Sequence, residues 1–147
     1  MKREESIDYN IKASWHAISR MYNQQAAKYD ITTSIGFVLL NIDSEEGTPA
    51  TKIAPLMGLE ARSLTRMLKS MEEKGLIFKK ADPTDKRSVR IYLTPEGKKK
   101  KEVSRRTVKA FNQAVLSEVP QDKLNAFFEV VGKINELIED NKILFTV

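Results

Sequence analysis

The 147-residue chain has no cysteine and a single histidine, His16. Without thiols there is no disulfide framework, no thiol redox switch and no Cys-based zinc site. One histidine argues against a histidine-rich metal centre, so no metal and no cofactor is expected. No apolar run approaches the eighteen or so residues that span a bilayer, and no signal peptide is visible. The sequence therefore reads as cytoplasmic. A nucleophile–base pair and a Gly-rich phosphate loop are also missing, which argues against an enzyme.

What remains is a chain 41% hydrophobic and 31% charged, the balance of one soluble globular domain with a real core. Its net charge of +5 is unevenly placed. Residues 75–106 hold eleven Lys/Arg against four Asp/Glu, an excess greater than that of the whole chain. A local positive surface suits a polyanionic partner.

The stretch 76–94, LIFKKADPTDKRSVRIYLT, organises the rest. Residues 77–80 read as one strand. In a second, Val89, Ile91 and Leu93 alternate with Arg90 and Tyr92, giving one apolar and one polar face. Between them Pro83 cannot donate to a ladder, and the flanking Asp, Thr and Ser form turns. Upstream, 60–74 carries a helical pattern. Leu64, Met67, Leu68 and Met71 form its inward face, and Gly75 suits its C-terminal stop. Arg62, Ser63, Thr65, Arg66 and Lys69 fall largely on other sides, where they can reach bases and phosphates. A helix leading into a basic hairpin is the layout of a winged helix-turn-helix. The fold class expected is mainly α with a small β-wing. Lys86, Arg87 and Arg90 supply the cations of the wing.

Around this lobe the chain is helical. Ile7, Ile11, Trp15, Ile18 and Tyr22 draw one stripe on a helix over 7–28. A second helix, over 31–43, is capped by Thr32 or Thr33 and buries Ile35, Val38, Leu39 and Ile42. Thr48 and Pro49 read as the cap and first residue of a short helix to Met57, which Pro55 should shorten or kink. Thr94-Pro95 opens a long helix to about Glu118, weakened at its first turn by Gly97. The run 98–101, all lysine, sits badly at the positive end of a helix dipole, a conflict that a nearby phosphate would remove; a solvated run is the plain alternative. A packing stripe of Val103, Thr107, Ala110, Phe111, Ala114 and Val115 follows. Pro120 breaks that helix. The last one, over 121–140, places Leu124, Phe127, Phe128, Val131, Ile134 and Ile138 at helical spacing. The apolar tail 143–147 should be covered.

The segment DPTDKRSVRIYLTPEG at 82–97 resembles the wing signature of MarR-type transcriptional regulators, D-x-R followed by L-T and a Gly. The upstream GLEARSLTRMLKSMEEKGLI resembles that family's recognition helix, and length and helix order agree along nearly the whole chain. The resemblance implies a homodimer whose first and last helices interleave and whose two winged helices meet one palindromic site. It implies a winged lobe at about 31–95, with 7–28 and 96–147 as the dimerisation region. It matches Arg62, Ser63, Thr65 and Arg66 to groove-reading positions, Arg87 to the wing-tip arginine and Asp85 to the acid that orients it. Two features depart from the family's pattern: Pro55 in the supporting helix, and the lack of cysteine, which removes peroxide sensing.

The function expected is sequence-specific double-stranded DNA binding by a ligand-responsive repressor. An apolar or aromatic effector in a cleft lined by Trp15, Tyr22, Phe37 and Phe111 would change the spacing of the recognition helices; all four residues also read simply as core. The rival is a non-specific architectural or protein-binding winged helix without effector. Preference for one site by about 10³-fold or more at fixed salt separates the two.

Overall fold

The computed structural model describes residues 1–146. It divides into two compact units, 1–107 and 108–147. The first begins with a single turn at Arg3–Glu5 and contains α1 (Ile7–Ala27), α2 (Thr33–Leu40), β1 (Thr48–Pro49), α3 (Ala50–Met57), α4 (Ala61–Glu73), β2 (Ile77–Ala81) and β3 (Val89–Leu93). Helix α5 (Pro95–Glu118) starts in this unit, and α6 (Gln121–Glu139) belongs to the second. Among the described residues no helix is long and apolar enough to cross a membrane.

The strands form an antiparallel sheet in the order β1-β3-β2. Ile77 pairs with Leu93 and Ala81 with Val89, so the period-2 alternation puts Ile77, Ile91 and Leu93 on the buried face. On the outer face Phe78 stacks on its cross-strand partner Tyr92 at 5.3 Å, with the Lys80 ammonium over both rings. The core of this unit joins Val38, Leu39 and Ile42 to Ile53, Met71, Ile77 and Ile91, all but sealed from water. Each such side chain contributes about 1.5–3 kcal/mol of transfer free energy.

Helix ends follow local chemistry. The Thr32 hydroxyl accepts from the Ile35 N–H and starts α2. At Gly58 and Gly75, with φ of +63° and +72°, α3 and α4 stop in a left-handed residue whose N–H returns to the carbonyl three back, and the next N–H to the one five back. These two glycines set the turn between α3 and α4 and the entry to β2. Thr94 Oγ1 accepts from the Gly97 N–H at the start of α5 and donates to the Gly75 carbonyl. Gly97 is more than a weak helix former, because a Cβ there would run into the Leu76 carbonyl.

Two expectations about element bounds differ from the structure. Helix α2 is shorter than 31–43 and ends at Leu40, although Ile42 beyond it is still buried. Thr48 and Pro49 do not open a helix. They pair with Ile91 and Arg90 as an edge strand, where the missing proline donor is tolerated, and α3 begins at Ala50. The α1 stripe, which its spacing left open as core or interface, is mostly uncovered in the single chain: Tyr22 is buried, but Ile7, Ile11 and Trp15 are exposed. Pro55 lies inside α3, which is short as expected at eight residues.

In the second unit Leu124 is buried, while Phe127, Phe128, Val130 and Ile138 of α6 stand exposed in the single chain. Ile143, Leu144 and Phe145 of the tail are exposed too. Val147, included in the expectation of a covered tail, lies outside the described residues.

Candidate nucleic-acid interface

Helix α4 is amphipathic. Leu64, Leu68 and Met71 are buried and Met67 packs against the core, which fixes the helix on one side. The opposite side carries Arg62, Arg66 and Lys69, all exposed. Arg62 and Arg66 are one turn apart, so their guanidinium groups project from one face. Thr65 is exposed and its hydroxyl donates to the Ala61 carbonyl at 2.9 Å, leaving the oxygen lone pairs for an outside donor. Ser63 is half-buried at the edge of this face. Leu56, on α3 just before the turn, is also exposed.

The wing tip joins β2 to β3. Lys86 and Arg87 are exposed there. The tip is shaped by an aspartate that sequence reasoning noted only as a turn former. Asp82 is 5% exposed. Its Oδ1 accepts from the Thr84 N–H (2.9 Å), the Thr84 hydroxyl (2.8 Å) and the Asp85 N–H (3.3 Å). Its Oδ2 receives Arg90 Nη1 at 3.2 Å. The Thr84 N–H first, then the Thr84 hydroxyl and the Arg90 guanidinium, hold its carboxyl down to about 2. The signal in the sequence was Asp-Pro-Thr, since an aspartate two residues ahead of a free N–H can close a side-chain turn.

Two wing residues are engaged differently from expectation. Asp85 Oδ1 accepts from the backbone N–H of Arg87 at 3.0 Å, so its carboxylate shapes the turn rather than gripping the guanidinium. Arg90 is half-buried and turned inward: besides Asp82, its Nε donates to the Glu46 carbonyl (2.8 Å) and its Nη2 to that of Gly47 (3.5 Å). All three edges of its fork are occupied by protein acceptors.

The lysine run is divided in the same way. Lys98 and Lys99 are exposed. Lys100 Nζ donates to the Tyr29 carbonyl at 2.7 Å and pairs with Glu96, and Lys101 Nζ donates to the Ile42 carbonyl at 2.6 Å. Half of the run therefore ties the start of α5 to the ends of α1 and α2.

Of the aromatic residues set apart for an effector, three come together. Trp15 stacks on Phe37 with centroids 6.4 Å apart, and Tyr22 meets Phe37 edge-on at 6.0 Å. Burial pushes the Tyr22 phenol up. Phe111 lies on the part of α5 in the second unit, half-buried.

The MarR family model matches residues 31–89, which run from the start of α2 into β3. The HTH-type transcriptional regulator TtmR of Methylorubrum extorquens (strain PA1) is 31% identical over 95 residues, 65% of this chain and 49% of that protein. The HTH-type transcriptional regulator SarZ of Staphylococcus aureus (strain USA300) is 30% identical over 102 residues, 69% of either chain. The chain thus spans about half of the first relative and about two thirds of the second. In fold it is similar to the protein in a crystal structure of the S. aureus MepR–DNA complex, with a TM-score of 0.82 over 89% of this chain and 97% of that one at 21% identity. The winged lobe with its exposed basic helix and wing, the family match and the SarZ relationship agree: the chain belongs to the MarR family.

Proposed function

We propose that the protein acts as a homodimeric, ligand-responsive repressor on a palindromic operator. The observation that carries this reading is the pairing of two unlike surfaces. One is the basic face of α4 with the Lys86–Arg87 tip. The other is apolar and uncovered in each unit taken by itself: Ile7, Ile11 and Trp15 on α1 in the first, and Phe127, Phe128 and Ile138 on α6 in the second. Exposed apolar area of this extent on a monomer marks an interface, and a second copy of the chain is the occupant proposed. Arg62, Ser63, Thr65, Arg66 and Lys69 read the major groove and its phosphates, and Lys86 and Arg87 enter the neighbouring minor groove. A two-fold dimer then requires half-sites about one DNA turn, roughly 34 Å, apart. The Trp15–Tyr22–Phe37 cluster offers an aromatic wall for an apolar or aromatic effector, which would act by changing the separation of the two α4 helices.

Selection of bound duplexes from a random pool tests the reading. The expected product is one inverted repeat preferred by about 10³-fold or more over random DNA at fixed salt. Binding without sequence preference would return the chain to a non-specific architectural role.

A further inference from the structure

The loop 42–47 between α2 and β1 is clasped from two sides. On one side Lys101 Nζ holds the Ile42 carbonyl (2.6 Å) and the Ser44 hydroxyl (3.1 Å). On the other Arg90 holds the carbonyls of Glu46 and Gly47. Asp43 braces the middle: its Oδ1 accepts from the N–H groups of Glu45 (2.9 Å) and Glu46 (2.8 Å), and its own N–H donates to Thr48 Oγ1. Gly47 has φ +69°, and a Cβ there would meet the Ile91 carbonyl at 2.6 Å and the Tyr92 ring at 2.7 Å. The loop therefore lies hard against β3. From Arg90 the hydrogen bonds continue to Asp82, from Asp82 to Thr84 and Asp85, and from Asp85 to the Arg87 N–H. Two sets of polar contacts, one from α5 and one from Arg90 to the tip of the wing, are thus joined through the backbone of this loop.

We propose that Arg90 and Lys101 are positioning residues for DNA binding, which fix the loop 42–47 and through Asp82 hold the Lys86–Arg87 tip in place relative to α4, without touching DNA themselves. The proposal rests on the reading that the wing contacts DNA. A two-stranded hairpin with an exposed tip would otherwise sample many orientations and lose that freedom on binding. Holding it beforehand lowers the cost. Arg90 serves three acceptors on three edges of a planar fork, a set that a lysine ammonium cannot match. A phosphate, by contrast, accepts either cation. Arg90→Lys therefore separates a positioning role from a contact.

Amide hydrogen exchange of the free, full-length protein is the first measurement. In Arg90→Lys, exchange at Asp82, Thr84, Asp85, Arg87 and Ser88 should quicken at least tenfold while α4 stays protected. In Lys101→Met the loop 43–47 should quicken most and the wing tip to a lesser degree. Unchanged exchange at the tip in both variants overturns the proposal. If Arg90→Lys also exposes α2 and α4, the fold itself has loosened and Lys101→Met decides: its tip must quicken with α4 protected, or the proposal fails. Affinity for the selected operator is the second measurement. Arg90→Lys should bind at least tenfold more weakly, and Arg87→Ala should cost less in that background than in the wild type. Wild-type affinity in Arg90→Lys, or losses that simply add, would make Arg90 an independent contact. Failure of the wild type to bind any duplex would refute the DNA reading, while the exchange data would still judge the network.

Discussion

The two units place similar apolar patterns in opposite circumstances. In the first, Leu39, Ile53, Met71 and Ile91 are at 0% exposure. In the second, Phe127 and Phe128 of α6 stand at 56% and 60%. Helical spacing is equally regular in both. Periodicity shows that a helix has an apolar side, and it does not say whether that side is covered by the same chain. The winged lobe of the first unit, from α2 to β3, is closed by its own sheet and helices, whereas α1 of the same unit leaves Ile7, Ile11 and Trp15 uncovered. The second presents the kind of surface that folding of one chain leaves to an association.

The largest effects should come from breaking the closed unit. Leu39→Ala removes a sealed side chain and should cost about 2–5 kcal/mol of stability. Because that core is intramolecular, the loss measured by chemical denaturation should be the same at every protein concentration. A loss that shrinks on dilution would show that the core depends on a partner chain.

Phe128→Lys probes the open unit and should do the reverse. A central aromatic anchor is worth about 2 kcal/mol or more of association, so the dimer dissociation constant should rise at least thirtyfold. Analytical ultracentrifugation across a dilution series would measure it. A wild-type chain that is monomeric at micromolar concentration would remove the contrast between the units as an argument for assembly.

Legibility followed the same division. The winged lobe was readable because its signals are local: alternation in β3, the stripe of α4, and glycines that must stop helices. The exposure of Arg62, Arg66 and Lys69 on α4 followed by subtraction, as what remains once the buried side is assigned. Long-range ties were not readable. Nothing near Arg90 in the sequence points to the carbonyls of Glu46 and Gly47, 44 and 43 residues away, so it was counted with the exposed cations. The same holds for Lys101 and Ile42, 59 residues apart. β1 escaped because two residues carry no period and Thr-Pro looks like a helix start. The stripes of α1 and α6 were correctly placed on helices, but their exposure depends on tertiary structure.

A smaller effect tests the exposed basic face. Arg66→Ala removes no buried contact and should leave stability within about 0.5 kcal/mol of the wild type. On the selected operator it should lose about 1–3 kcal/mol of discrimination over random DNA if the arginine pairs with guanine. Equal losses on both DNAs, followed by fluorescence anisotropy, would make it a phosphate contact.

The smallest effect compares a covered with an uncovered carboxylate inside the first unit. Asp82 and Glu102 are both held down to about 2. Asp82 is held first by the Thr84 N–H, within a buried turn. Glu102 is held first by the Arg105 guanidinium, and Arg106 joins it, with both arginine side chains exposed. A depressed carboxylate stabilises the fold above its unfolded value, near 4, and that contribution is lost as pH falls through the folded value, near 2. Both groups therefore act in the window from about pH 4 to 2, yet with different consequences. The exposed pairs are screened by salt and constrain only the surface of α5. Protonating Asp82 weakens the acceptor on which the wing turn is built. Acid titration of wing-tip amide exchange should show loosening between about pH 4 and 2 in the wild type and in Glu102→Gln alike. Asp82→Asn should already be loose at pH 5 and change little below it. If Glu102→Gln abolished the acid transition instead, or Asp82→Asn kept it, the wing would not be held by its buried aspartate.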